Sequence, residues 1–341
     1  MNHHAEAEYR PGDGVIYSED ISSARTEALF GACDGLGLAR APGRLPTRRT
    51  TMADQAAQTA YGPMVVAATE QYYPERQRLV HDALALRFLP SGLRAAVRLT
   101  RWSPLRSLLF HLAERSAPGT WGGVLCRKRY IDDKLHEALG AGIQAVVNLG
   151  AGLDTRAYRL AAAGTLPVFE VDLPENIAYK QAVLQKLYGS IPAHVTLVPI
   201  DFDRQDLESA LVSHGYRAEY RGFFIWEAVT QYLSEDGVRK TLSSLAGMES
   251  GSRLVFTYIL KDFIDGTDRH GQDTLYEIYR VKRPLWHFGL EPEQVAPFLA
   301  RYGWQELEQA GSREYVQRYV QPARRTLPVM EIERAVYAAR K

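Results

Sequence analysis

The chain has 341 residues, 46% of them apolar and 24% charged, with a formal net charge of +1. A chain of this length buries a core large enough to need no disulfide or metal staple. Its balanced charge argues against nucleic acid or an anionic membrane as a partner. The two cysteines, Cys33 and Cys126, form neither a disulfide framework nor a zinc motif, so no metal is expected. With no basic-then-apolar leader and no uninterrupted apolar stretch of about 18 residues, a soluble cytoplasmic protein is expected, as a monomer or homodimer.

Residues 1–51, rich in Gly, Pro, Arg and small polar residues, predict a flexible N-terminal arm. From 52 to 142, apolar residues three and four apart predict a helical cap, with helices over 56–68, 76–89, 105–113 and 130–139. From 143 to 341, short β-rich runs alternate with helical stretches, the pattern of an α/β sheet covered by helices on both faces. Strands are expected over 144–149, 167–172, 194–201, 223–229 and 253–259. Helices are expected over 154–163, closed by Gly164, and over 174–187, where Pro174 occupies the first position that tolerates it. Ser234, followed by Glu235 and Asp236, caps another helix. A lid-like insertion covers 261–290. The end of the chain predicts a helix over 292–302, stopped by Gly303, and a hairpin pairing 304–309 with 315–320.

The first of these strands runs out at Asn148-Leu-Gly150-Ala-Gly152-Leu-Asp154-Thr-Arg156. Open parallel sheets bind ligands beyond the carboxyl ends of their strands, and glycine lets a ligand approach the backbone there. A dinucleotide fingerprint needs a third glycine where Thr155 stands, and the neighbouring carboxylate of Asp154 repels a pyrophosphate. That carboxylate suits a ligand with an ammonium and a sulfonium, which S-adenosylmethionine carries. Asp172 follows at the spacing of a carboxylate that accepts from a ribose diol. Asp201 is placed to take the adenine amine, with Phe202 packed on the ring. Glu227, among apolar neighbours, needs a partner, either the cofactor ammonium or a structural arginine.

These residues resemble the leucine carboxyl methyltransferase family and its bacterial relatives that methylate small molecules. The resemblance is carried by Arg127-Lys-Arg-Tyr-Ile-Asp-Asp133, by the run from Val147 to Arg156 with Tyr158-Arg159-Leu160, by Glu170-Val-Asp-Leu-Pro174 with Lys180, and by 227–233. The cap segments 59–64 and 81–84 add to it. It implies a Rossmann-like, seven-stranded class I methyltransferase sheet under the N-terminal helical cap. It also implies that Arg127 binds the methionine carboxylate, Gly150 forms the turn, Asp172 binds the ribose, Asp201 and Phe202 bind the adenine, and Glu227 binds the amino end. A guanidinium grips a carboxylate bidentately, which agrees with Arg127; Arg129 competes for the role, and an ion pair with Asp132 or Asp133 is the alternative for either. Two positions depart from the family: Ala228 replaces the usual glycine after Glu227, and Phe202 replaces the usual leucine after Asp201.

The expected reaction is in-line methyl transfer from S-adenosylmethionine to a small molecule. A carboxylate acceptor is already nucleophilic at neutral pH and needs no base. A phenol or alcohol needs one, and His287, His270 and Tyr258 are the candidates. Tyr232, Arg283 and Trp286 are expected to line the acceptor pocket. A non-catalytic adenosylmethionine-binding protein is the rival from another class.

Overall fold

The structure, a computed structural model, describes residues 60–160, 166–202 and 205–341. The expected arm therefore lies outside the described residues. Strands β1 (Ala145–Leu149), β2 (Val168–Asp172), β3 (Val195–Pro199), β4 (Gly222–Trp226) and β5 (Arg253–Leu260) pair in parallel. A two-residue strand β6 (Gly289–Leu290) joins the end of β5, while β7 (Trp304–Ala310) and β8 (Glu333–Arg340) run antiparallel. The order is β3-β2-β1-β4-β5-β8-β7. This is the expected seven-stranded sheet with β6 as a short addition. The chain reverses its direction of travel across the sheet between β1 and β4, so a crevice opens beyond their carboxyl ends.

Side chains alternate between two faces, as the period of a strand requires. Phe223 and Ile225 of β4 join Val146 and Val255 in one core, against Leu125, Ile131 and Leu135. Phe224 and Trp226 join Val147 and Phe256 in the other, against Leu207, Leu242 and Phe298. The first core is thus built on a long helix from the segment before the sheet.

Along the chain the helices are α1 (Tyr61–Glu70), α2 (Ala85–Phe88), α3 (Ser91–Leu99), α4 (Ser103–Ser116) and α5 (Thr120–Gly140), followed by α6 (Arg156–Arg159), α7 (Pro174–Tyr188), α8 (Leu207–Ser213) and α9 (Glu235–Leu245). Beyond β5 come α10 (Lys261–Asp265), α11 (Asp273–Tyr276), α12 (Val295–Ala300) and α13 (Ser312–Tyr315). Ser234 caps α9 as expected, its hydroxyl accepting from the Gly237 amide.

Three expectations are corrected. The helix over 76–89 is broken: after a turn at Glu75–Gln77 the chain extends, and only α2 is helical. The buried Glu70 carboxylate accepts from the Leu79 amide at 2.8 Å, and Asp82 accepts from the amides of Leu84 and Ala85, so side chains replace helical partners. The helix after the glycine turn is only the four residues of α6, because Leu160 is already extended; 161–165 lie outside the described residues. The terminal hairpin has a different partner. Residues 312–320 are helical, and β7 pairs instead with β8, which also completes β5.

No described helix is long and apolar enough to cross a membrane.

Candidate functional site

A cavity of about 740 Å³ opens beyond the carboxyl ends of β1 and β4. All eight residues expected at the cofactor line it: Arg127, Gly150, Gly152, Asp154, Asp172, Asp201, Phe202 and Glu227. Each strand end delivers its own share. Gly150 and Gly152 leave β1 with φ of +69° and +41°, a region where a side chain is strained. A Cβ on Gly150 would meet Val229 Cγ2 at 2.3 Å, so the turn is packed from behind as well as open in front.

Asp172 closes β2 and reaches back to this turn. Its Oδ2 accepts from the Gly152 amide at 2.5 Å, and its Oδ1 accepts from the Leu173 amide and Asn176 Nδ2, both at 2.7 Å. Burial raises its pKa, and these three bonds only partly offset the rise. Below the turn, Lys180 donates to Glu170 at 2.6 Å and lies 3.4 Å from the Ala151 carbonyl, while Tyr158 donates to the same carboxylate. The motif residues Tyr158, Glu170 and Lys180 thus support the turn from beneath.

Glu227 is the first residue past β4, so the strand expected over 223–229 ends at Trp226. Its two oxygens are separately engaged: Arg127 Nε donates to Oε1 at 2.9 Å and Arg156 Nη1 to Oε2 at 2.6 Å. Of the two partners expected for Glu227, the structure shows the arginines. Burial raises its pKa, but Lys128, Arg156 and Arg127 hold the carboxyl well below the ordinary range. Asp154 behaves alike: burial opposes ionisation and Arg156 and Lys128 overcome it. Its carboxylate binds Arg156 at both the amide and the guanidinium, so it turns toward this pair as well as lining the cavity.

The network extends further. Arg127 Nη1 binds both oxygens of Glu333, at 2.8 and 2.6 Å. Arg156 and Arg159 share Asp132, and Arg159 approaches Asp82. Four cations (Arg127, Lys128, Arg156 and Arg159) meet five carboxylates (Asp82, Asp132, Asp154, Glu227 and Glu333). With Asp172, carboxylates outnumber cations by two, so the cavity favours a cationic ligand.

Arg129 is no competitor for Arg127, since it pairs with Asp133 on the exposed side of α5. Tyr232, Trp286 and His287 do line the cavity, whereas Arg283, His270 and Tyr258 do not. Tyr258 is fully buried with its hydroxyl donating to Gln309, and His270 sits by Asp262 at 3.0 Å. Neither can serve as a base there.

Several residues line the cavity beyond those expected from the sequence. Thr120, Val124 and Lys128 share one face of α5 with the expected Arg127 at helical spacing, a signal already present in the sequence. Asn176 lies one helical turn beyond Asp172. Glu333 had no local signal, because its strand was not expected, and Met330 lies in the irregular segment just before that strand. The departure at Ala228 has a backbone consequence: its φ is +55°, where the family's glycine is unstrained.

A model of the family described as leucine carboxyl methyltransferase matches residues 60–246. A Frankia alni protein provisionally named as an S-adenosyl-L-methionine-dependent methyltransferase is 32% identical over 204 residues, 58% of this chain and 67% of that one. A second from the same organism, similarly named, is 34% identical over 188 residues, covering 53% and 63%. The chain spans about two thirds of the length of these relatives. Among solved structures, a duf574 family protein of Streptomyces avermitilis superposes with a TM-score of 0.50 at 12% identity, over 81% of this chain and 97% of that one, a likeness of fold alone. Because the matched residues run from the first helix over the cavity through the helix that follows β4, the chain belongs to the leucine carboxyl methyltransferase family.

Proposed function

We propose that the cavity binds S-adenosylmethionine and that the chain methylates a carboxylate of a small molecule. The observation that carries this reading is the gathering of the glycine turn, the strand-end acids and an excess of carboxylates around one cavity. Asp172, already fixed by three donors, would accept from the ribose hydroxyls. Asp201 and Phe202 would flank the adenine, and Asp154 and Glu227 would face the cationic end. Among the described residues, Arg127 keeps Nη2 without a hydrogen bond, and the Lys128 ammonium comes no closer to Glu227 than 3.8 Å. These two groups would take the cofactor's carboxylate.

When bound, the cofactor supplies a methyl group on a cationic sulfur; the acceptor oxygen's electron pair forms the new C–O bond as the S–C pair returns to sulfur. A methyl ester and a neutral thioether result, and no proton moves. The protein's part is to align the groups and exclude water, an effect that supplies up to about 7–11 kcal/mol in favourable systems. A second reading, a phenol or alcohol acceptor, is favoured by His287 at the exposed edge of the cavity, where it could act as base.

The two readings differ in pH dependence. A carboxylate, with pKa near 4, gives a rate nearly flat from about pH 6 to 9, whereas a phenol gives a rising limb. Labelled product that is released as methanol by mild base identifies an ester; base-stable product with a rising limb would reject the carboxylate reading. Small-molecule action, with no nucleic acid or membrane as partner, and a cytoplasmic monomer or homodimer remain part of this proposal.

A further inference from the structure

We infer that the acceptor is a monocarboxylic acid with a flat apolar body, an aryl or conjugated acyl group, rather than a peptide C-terminus or a small polar acid. This deepens the proposed carboxylate methylation and rests on it. The cavity does not end at the strand-end acids. Val124 of α5, Ile259 of β5, Leu275, Leu285 and Met330 also line it, together with Tyr279 and Trp286. The last two rings lie face to face, their centroids 4.5 Å apart and their planes 2° apart. Tyr232 and Phe263 meet the same indole at 6.4 and 6.0 Å, so its orientation is fixed by packing. None of these side chains carries a charge. A hydrated acceptor body would lose its water there without replacement, whereas a flat hydrocarbon gains contact area.

Two donors are left over in this wall. Trp286 Nε1 and Thr120 Oγ1 are buried and have no hydrogen-bond partner among the described residues, on side chains belonging to residues only 7% and 8% exposed. Buried polar groups without partners are uncommon and call for an explanation. Thr120 is also the first residue of the 21-residue helix α5, whose N-terminal end favours negative charge. An indole N–H and a hydroxyl both suit one carboxylate oxygen, which leaves the other oxygen's lone pair for the methyl carbon, with the electron balance given above. Gln231 Oε1 is the third buried atom of the lining without a partner among the described residues. Turned about its last bond, that amide offers N–H to the same group. Three polar atoms suffice for one carboxylate, but not for the amides that accompany a peptide C-terminus.

The test uses 1-naphthoate, 1-naphthol, trans-cinnamate, succinate and an acetylated tripeptide ending in Leu as acceptors. Methyl transfer is followed by label, and binding to the protein loaded with S-adenosylhomocysteine by calorimetry. The aryl acids are expected to bind and to show the highest kcat/KM. Thr120→Val, which keeps the side-chain shape, and Trp286→Phe, which keeps a ring, should each raise the aryl acids' KM roughly tenfold or more, as expected for a lost hydrogen bond to a charged group. Affinity for S-adenosylhomocysteine should be unchanged in both. Preference for succinate or the peptide would overturn this inference alone and leave carboxylate methylation standing. So would failure of both aryl acids to bind, or wild-type KM in both variants. Methylation of 1-naphthol in place of 1-naphthoate would overturn the acid assignment here together with the reading it rests on.

Discussion

The two ends of the cavity are built on opposite principles. At the strand ends, Glu227 and Asp172 each have both oxygens engaged, and buried cations and carboxylates interlock from Asp82 to Glu333. At the aromatic end, stacked rings and aliphatic side chains form the wall, and three polar atoms lack partners among the described residues. A buried ion network costs desolvation and is rigid once satisfied, because any member that turns away strands its partner. An apolar wall adapts more readily, since its contacts lack direction. The contrast is between a charged end that is rigid once satisfied and an apolar end that adapts to what packs against it.

The largest expected effect comes from breaking the charged end. Glu227→Gln leaves Arg127 and Arg156 with one carboxylate fewer, and losing one partner of a buried pair typically costs about 3–5 kcal/mol. Denaturant unfolding at pH 7 should show a loss in that range; a loss below about 1 kcal/mol would mean that the network is not formed as described. The pH dependence carries the same information. Glu227 and Asp154 are held below the ordinary carboxylate range. The stability they contribute is therefore complete above their unfolded values, near pH 4, and is lost as pH falls through their lower folded values. Glu227→Gln should narrow the stability gap between neutral and acid pH.

A smaller effect is expected at the boundary between the ends. Asp172→Ala removes an acceptor while leaving the sheet intact, and should weaken S-adenosylhomocysteine binding by about tenfold or more, from a bond worth roughly 1.5–3 kcal/mol. Unchanged affinity in a folded variant would remove Asp172 from the site. The smallest effect concerns Ala228. A left-handed alanine costs roughly 1–2 kcal/mol, and glycine returns part of that through its freer unfolded chain. Ala228→Gly should therefore raise unfolding stability by no more than about 1 kcal/mol; a clear loss would show that the Ala228 methyl makes contacts worth more than the strain.

The same division explains what could be read from the residues alone. The charged end comes largely from motifs in which neighbours in sequence are neighbours in space: a glycine turn, acids at or just beyond successive strand ends, and an arginine on one helix face. The aromatic end is assembled from Thr120, Gln231, Ile259, Tyr279 and Met330, brought together only by the completed sheet. Trp286 and Tyr232 stood out by composition, whereas Tyr279 did not, and its stacking on Trp286 follows from a wide helical turn at Glu277–Lys282 that has no sequence signature. Glu333 was hidden for another reason. The alternating residues at 315–320 suggested a strand, but helical capping by Glu314 at the Gly311 amide and pairing of β7 with β8 prevail. Lys128 was the avoidable omission, since it lies one helical turn from Val124 on the cavity face.

The most direct test of the central claim is a calorimetric titration of the full chain with S-adenosylmethionine, S-adenosylhomocysteine and NAD in turn. Binding of the first two is expected, one molecule per chain, and none of NAD, because Asp154 and the excess of carboxylates disfavour a pyrophosphate at the glycine turn. Tight binding of NAD without binding of either sulfur ligand would contradict the claim.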